Sequence, residues 1–222
     1  MSNTLLTARE AVELSPSDAH SYVAERCRHI PFVEEELFND CFGWSFYEAL
    51  ISDLVDYSAA VKFSETAEYS VGAFVEHAGC VYEVLVDTGI TGQPIANPTY
   101  FRKAPKFTTE ANQTLWDKYL GGIIAFRVMQ GGIMYRSVKD TAKGVVKAFD
   151  PDGSRPATQG EVRAVKEELG DDIQRMIKAM TAYIARNAGS YPLYKAGVGD
   201  CEDGTGCYSY NPRKTLGFNV EK

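Results

Sequence analysis

The sequence predicts a mainly α protein: a helical bundle core with a small inserted antiparallel β module and an extended C-terminal arm. Three observations predict it. Apolar residues recur at helical spacing on both sides of a central stretch. Inside that stretch, from Tyr69 to Phe107, the period falls to two and glycines break the pattern. After Ser190 the periodicity stops, and tyrosines stand among glycines and polar residues. The expected division is 1–66 for the N-terminal helices, 67–107 for the β module, 108–189 for the C-terminal helices and 190–222 for the arm.

The first predicted helix opens at Ser15-Pro16-Ser17-Asp18, where an N-cap serine precedes a proline at the first helical position and an acid follows; it runs to about His29. Pro31 restarts the pattern. Phe32, Val33, Glu36, Leu37, Phe38 and Cys41 lead to Gly43, a natural helix stop. A third helix follows from about Ser45, with Phe46, Leu50, Ile51, Leu54 and Val55 at helical spacing.

The β module is read from the alternation in Ala73-Phe74-Val75-Glu76 and again from Val81 to Val86, with Gly72, Gly79, Gly89 and Gly92 as turns. About 40 residues bury little core alone, so this module is expected to lean on the helices. Thr108-Thr109-Glu110 opens the second helical part. From Leu115 to Met129 it is strongly apolar, and Gly121-Gly122 and Gly131-Gly132 imply close helix approach or a break. YRSVKDTAKGVVKAFDPDG reads as an irregular or short-strand excursion. The last helix starts at a capping box, Thr158 to Glu161, and carries a stripe of Val162, Val165, Leu169, Ile173, Met176, Ile177, Met180 and Ile184.

The 222 residues carry a net charge of -7 and a pI near 5.1. That balance excludes a general nucleic-acid binder, which needs clustered Lys and Arg, but suits a wall along which DNA slides. The opening MSNTLLTAREAVELSPSD lacks the basic and apolar regions of a signal peptide. The apolar stretch Tyr119–Met134 is shorter than a membrane span and holds Arg127 and Gln130, so it reads as a buried helix. Five cysteines at irregular spacing (Cys27, Cys41, Cys80, Cys201, Cys207) read as reduced thiols; DCEDGTGC around Cys201 and Cys207 reads as an ordinary loop ahead of a disulfide or metal site.

Residues that point to catalysis are missing. The three histidines are His20, His29 and His77; His20 and His29, nine apart, share no metal-binding face, and no HExxH, GxSxG, Walker A or GxGxxG pattern occurs. The chain is therefore expected not to be an enzyme and to need no cofactor or metal. Asp150 to Glu161 imitates a calcium loop, but Arg155 stands where the loop needs glycine, so a turn before a helix is the reading. Asp200, Glu202 and Asp203 read as a solvated acidic loop. Tyr82, Tyr100 and Phe101 offer either an aromatic platform for a sugar or the core of a small β module.

The segment IPFVEEELFNDCFGWSFYEALISDL, through Phe32, Glu35, Leu37, Gly43, Tyr47 and Leu50, resembles the opening of head–tail connector (adaptor) proteins of tailed bacteriophages. The apolar helix, the SVKDTAKGVV excursion and the long final helix continue the likeness. The inserted segment resembles small chitin-binding-type carbohydrate-binding modules through Tyr69, Gly72, Val75, Gly79, Tyr82, Gly92, Pro94 and Tyr100-Phe101. Tyr and Phe stand where that family carries exposed Trp.

The resemblance implies a structural virion protein, a ring-forming adaptor docked on the portal and bridging capsid to tail around the DNA channel. Its partners would be the portal, tail or stopper proteins and its own copies, with DNA passing unread and no membrane involved. Its place would be the head–tail junction of a virion assembled in the host cytoplasm. The C-terminal arm, with Tyr191, Tyr194, Tyr208 and Tyr210, would carry assembly and portal docking. The alternatives are a sugar-binding virion or surface protein acting through the β module, or another tail or baseplate component.

Overall fold

Helix formation begins earlier than the Ser15 signal implies. In the computed structural model, which describes residues 4–15, 28–87, 94–141, 144–147 and 159–194, Thr7 caps helix α1 (Ala8–Glu13). Its hydroxyl accepts from the Glu10 N–H at 3.2 Å while the Glu10 carboxylate accepts from the Thr7 N–H at 3.0 Å, a complete capping box. The helix predicted from Ser15 to His29 lies almost wholly outside the described residues.

Helix α2 (Ile30–Leu37) carries Pro31 in its first turn, where a missing N–H costs nothing. It passes into a π turn, Phe38–Phe42, closed by the Gly43 N–H on the Phe38 carbonyl at 2.7 Å. Gly43 then adopts φ +89°, a conformation open to glycine at little cost, and starts helix α3 (Trp44–Ser52). Phe38, Phe42, Phe46 and Leu50 are thereby all delivered to one core.

Helix α4 (Glu110–Leu115) likewise runs through a π turn, Trp116–Leu120, into helix α5 (Gly121–Ser137). At Gly121 the approach is close: a Cβ there would meet Leu14 Cδ1 at 3.0 Å. Helix α5 is the central post, packed against α1, α2 and helix α6 (Gln159–Arg186). Ile123, Ile124, Ala125 and Val128 are fully buried on it. The buried Gln130 accepts from Arg127 at 2.5 Å and donates to the Lys166 carbonyl at 2.8 Å, tying α5 to α6. On α6 Leu169, Ile173, Ile177, Met180 and Ile184 are buried and Met176 is half-buried, whereas Val165 is exposed nearer the start of the helix.

Four strands lie between α3 and α4: β1 (Val61–Lys62), β2 (Phe74–His77), β3 (Cys80–Val84) and β4 (Phe101–Lys103), in that spatial order. β2, β3 and β4 pair antiparallel, but β1 runs parallel to β2, with Val61 opposite Val75. The segments entering and leaving the sheet are stitched at their base: the Val55 N–H donates to Lys106 O at 3.0 Å and the Thr108 N–H to Asp53 O at 2.9 Å. The excursion after α5 contains a hairpin, β5 (Val138–Thr141) with β6 (Gly144–Lys147).

The expected mainly α bundle with an antiparallel insert and an extended arm is corrected on three counts. The architecture is α and β together: about 55% of the described residues are helical, and the four-stranded sheet is mixed because β1 is parallel. A second, two-stranded sheet stands between α5 and α6. The chain after α6 turns through a 3-10 segment, Ala188–Ser190, and folds back: Tyr191 is only 4% exposed and belongs to the helical core. Its ring sits edge-on to Phe46, and the apolar gain of burying it is what draws the chain inward. Residues 195–222 lie outside the described set.

Candidate functional site

Buried charge gathers where three parts of the fold meet. The N-terminal segment, the end of the β sheet and the α4 π turn enclose a cleft of about 590 Å³, lined among others by Leu5, Glu10, Cys80, Lys103, Lys106 and Trp116.

Lys106 is at its centre. Its Nζ donates to the Leu5 carbonyl at 2.5 Å and to Glu10 Oε2 at 2.5 Å, and lies 4.1 Å from the centre of the Trp116 ring. Burial pushes the lysine pKa down, and the Glu10 carboxylate works against that shift. A cation held between a carboxylate, a carbonyl and an indole face is satisfied on every side, which is the condition for burying it at all. Lys103 adds a second positive charge 3.8 Å from both Glu10 and Glu13. Gln113 completes the floor: its Oε1 accepts the Lys106 N–H at 2.6 Å and the Phe107 N–H at 3.0 Å, and its amide donates to Asp117.

Behind the cleft Glu34 is 1% exposed. Its carboxylate accepts the Leu6 N–H at 2.7 Å, the Leu5 N–H at 3.0 Å and the Tyr47 hydroxyl at 3.0 Å. Burial raises its pKa, while those two N–H groups, the Tyr47 hydroxyl and the charge of Lys106 all pull it down. Burial beside this carboxylate raises the Tyr47 phenol as well.

Asp53 closes the base of the sheet. It accepts from the hydroxyl of Thr108, from the N–H of Thr109 at 3.2 Å, from the Thr109 hydroxyl at 2.8 Å and from the Asn112 amide at 2.8 Å. Partial desolvation pushes this carboxyl up, but the hydrogen bonds outweigh it and the net shift is down. One side chain from the end of α3 therefore caps the start of α4, across the whole β insertion.

Chemically the arrangement is a set of grips. The Cys80 thiol in the cleft is buried and its pKa is pushed up by desolvation; that of the half-buried Cys41 is raised to about 11 for the same reason, the opposite of what activates a thiol as a nucleophile. Among the described residues no group of three or more His, Cys, Asp or Glu is placed to hold a metal ion, and no helix is long and apolar enough to cross a membrane.

The residues singled out from sequence fall elsewhere. Tyr82 and Tyr100 are half-buried and pack with Phe101 around Val75 and Val84; Phe101 is 4% exposed and stands edge-on to Phe63, with no free face for a sugar. Tyr191 donates to the Ala111 carbonyl at 2.6 Å, and the Tyr194 hydroxyl is 3.0 Å from that of Thr181. Tyr208 and Tyr210 lie outside the described residues, as do His20, Cys27, Cys201, Cys207 and the acidic group Asp200, Glu202 and Asp203. His29 precedes α2, and His77 ends β2 against the Phe63 ring.

Sequence reasoning missed Glu10, Glu34 and Lys106. Signals existed for two of them. Thr7-x-x-Glu10 is itself a capping box, and Glu34 falls on the apolar face made by Ile30, Val33 and Leu37.

Similarity to known proteins covers part of this arrangement. Residues 93–202 match a family of unknown function (DUF6712). The match is just under half of the chain; it includes β4, Lys106, Trp116, α5 and α6, and leaves out the N-terminal segment, α2, α3 and β1 to β3. No curated protein and no solved structure matches the chain.

Proposed function

We propose that this chain is a structural assembly subunit, the ring-forming head-to-tail adaptor that its α2–α3 segment resembles, docking on a portal and bridging capsid to tail. The observation that carries the reading is helix α6. Its 28 residues extend about 42 Å. One face is sealed by Leu169, Ile173, Ile177, Met180 and Ile184, while the other presents Arg163, Glu167, Arg175 and Lys178 to solvent. A long, rigid, mixed-charge face suits side-by-side packing of identical subunits around an axis, where a heterologous contact closes into a ring. The net charge of -7 suits a channel that lets DNA pass without gripping it.

Two details complete that reading. Tyr191 and Tyr194 support the core, so portal docking is assigned to residues 195–222, with Tyr208 and Tyr210 as the contact side chains. The sheet is the outward-facing decoration in this reading. Sugar binding has less support, because Phe101 is sealed and Tyr82 and Tyr100 are committed to packing.

Native mass spectrometry of the chain alone, and mixed with the portal protein of the same genome, tests the proposal. A ring of defined copy number or a stoichiometric complex is expected. A monomer indifferent to the portal would overturn it. A chain ending at Tyr194 should stay folded and lose the portal, whereas ending at Ser190 would remove two core tyrosines and confuse docking with stability.

A further inference from the structure

Charge is sorted along this chain. From Ile30 to Ala60 there are seven acids and no Lys, Arg or His. Four of the seven are used within the fold. Glu34 is buried, Glu36 pairs with Arg127 at 2.5 Å, Asp53 caps α4, and Asp56 accepts the Ser58 N–H at 2.9 Å. Glu35, Asp40 and Glu48 are exposed, and their side chains make no hydrogen bond or ion pair among the described residues. Two large rings face water on the same helices. Phe32 is 71% exposed on α2, and Trp44 is 45% exposed on α3, one turn before Glu48 and on the same side of the helix.

The second half of α6 has the opposite character. From Ile173 to Tyr194 there is no acid, and Arg175, Lys178 and Arg186 are exposed. Arg175 reaches back to Asp172 at 2.5 Å, and Arg186 Nε donates to the Ala182 carbonyl at 3.0 Å. The Lys178 ammonium has no partner among the described residues. Between these cations Ala179, Ala182 and Ala185 are exposed, which leaves the helix low enough to receive a large ring. The first half of the helix carries both signs, with Arg163 paired to Glu167 at 2.7 Å.

A chain of net charge -7 repels its own copies on average. Copies attract one another only if the two signs are segregated on different faces, and here they are. The acidic face with two unburied rings complements the basic face with small side chains, in charge and in shape. An outside partner would have to reproduce a basic, alanine-lined helix that this chain already carries. The two faces are different surfaces, so their contact is heterologous, as a ring requires.

We infer that the outward face of α2 and α3 docks on the second half of α6 of a second copy, with Glu35 and Glu48 meeting Lys178 and Arg186 while Trp44 covers the alanines. This rests on the self-assembly proposed above and names the surfaces that make it.

Two full-length variants test it beside the wild type, by native mass spectrometry with and without the portal protein. Glu35→Lys with Glu48→Lys reverses the acidic face, and Lys178→Glu with Arg186→Glu, in isotopically heavy form, reverses the basic one. All four side chains are exposed, so both variants should keep the wild-type circular dichroism spectrum and urea midpoint. Each alone should lose assembled species by at least about tenfold, because like charges then face one another. Mixed in equal amounts they should assemble again as complexes holding light and heavy chains, since every altered face then meets an opposite one. Wild-type assembly by either variant alone, or a mixture that stays apart, would overturn the inference while a wild-type ring leaves the adaptor reading standing. A wild-type chain that is monomeric with and without the portal would overturn both.

Discussion

Around Phe38 the chain buries rings in depth: Phe42 at 5.4 Å, Tyr47 at 4.8 Å and Phe46 at 6.2 Å, within a cluster that reaches from Leu5 to Tyr191. Around Val84, among the described residues, the small cluster in the sheet buries Val75 and Phe101 beside it, with half-buried aromatics as a lid. The first region is stable by area removed from water. The second has too little such area and depends on its attachments: the Asp53 cap, the paired backbone at Val55 and Lys106, and the Tyr57 hydroxyl on the Pro105 carbonyl at 2.7 Å. The difference teaches that the sheet is a dependent part, and that polar bonds at its base do what its core cannot.

The largest way to break that comparison is at Phe38. Phe38→Ala removes a fully buried ring from the α2–α3 junction and is expected to cost about 3–5 kcal/mol. Urea denaturation followed by far-UV circular dichroism would read it. Val84→Ala should cost about half as much and act locally, seen as faster amide exchange in β2 and β3 with α5 and α6 still protected. Equal effects on both regions from either variant would mean one cooperative core in place of a core and a dependent sheet.

Glu34 comes next. Glu34→Ala leaves two buried N–H groups without an acceptor and is expected to cost about 2–3 kcal/mol. The sign of its pH dependence follows from its raised pKa: the folded state favours the protonated acid. Its contribution is thus fully present below the ordinary value of 4.5 and is lost as pH rises through the higher folded value. Glu34→Gln cannot ionise, so its stability should stay flat across the window where the wild type declines. Parallel profiles for the two proteins would remove Glu34 from the account.

Much of the helical part was legible because its signals are local. Pro31 and Gly43 bracket α2 and its π turn, Thr109 and Glu110 open α4, and the stripe from Leu169 to Ile184 marks α6. What stayed illegible depends on distant partners. β1 is two residues long and acquires its identity only by lying parallel to Val75 and Glu76. Lys106 and Glu10 are separated by 96 residues, so no window of sequence contains their ion pair. Tyr191 looked like part of an arm because nothing adjacent to it announces Phe46 or Ala111 as neighbours. The capping box at Thr7 was legible, but Ser15-Pro16 offered a louder start nearby.

The Asp53 cap is a smaller lever on the same contrast. Asp53→Ala should cost about 1 kcal/mol, the usual loss for a helix cap. Its effect should concentrate at the base of the sheet, as faster proteolysis between Ser52 and Thr109, while the helical core keeps its denaturation midpoint within about 0.5 kcal/mol of energy. Because the net shift of this carboxyl is down, its contribution is present above the ordinary value of 3.8 and fades as pH falls through the lower folded value. Acid should therefore loosen the attachment of the sheet in the wild type and change little in Asp53→Ala.

The smallest effect is the one that looks most substantial on the surface. Arg102 and Glu83 pair across β4 and β3 at 2.7 Å, directly opposite one another in register. The arginine side chain is 65% exposed, so water and salt compete for it at every moment. Arg102→Ala is expected to change stability by no more than about 0.5 kcal/mol, and less in 0.5 M salt. Amide exchange at Glu83 would check it. If that one variant freed the sheet from exchange protection as thoroughly as Val84→Ala, cross-strand charge would be holding the module, and the small core around Val84 would have to be demoted to a consequence of the pairing.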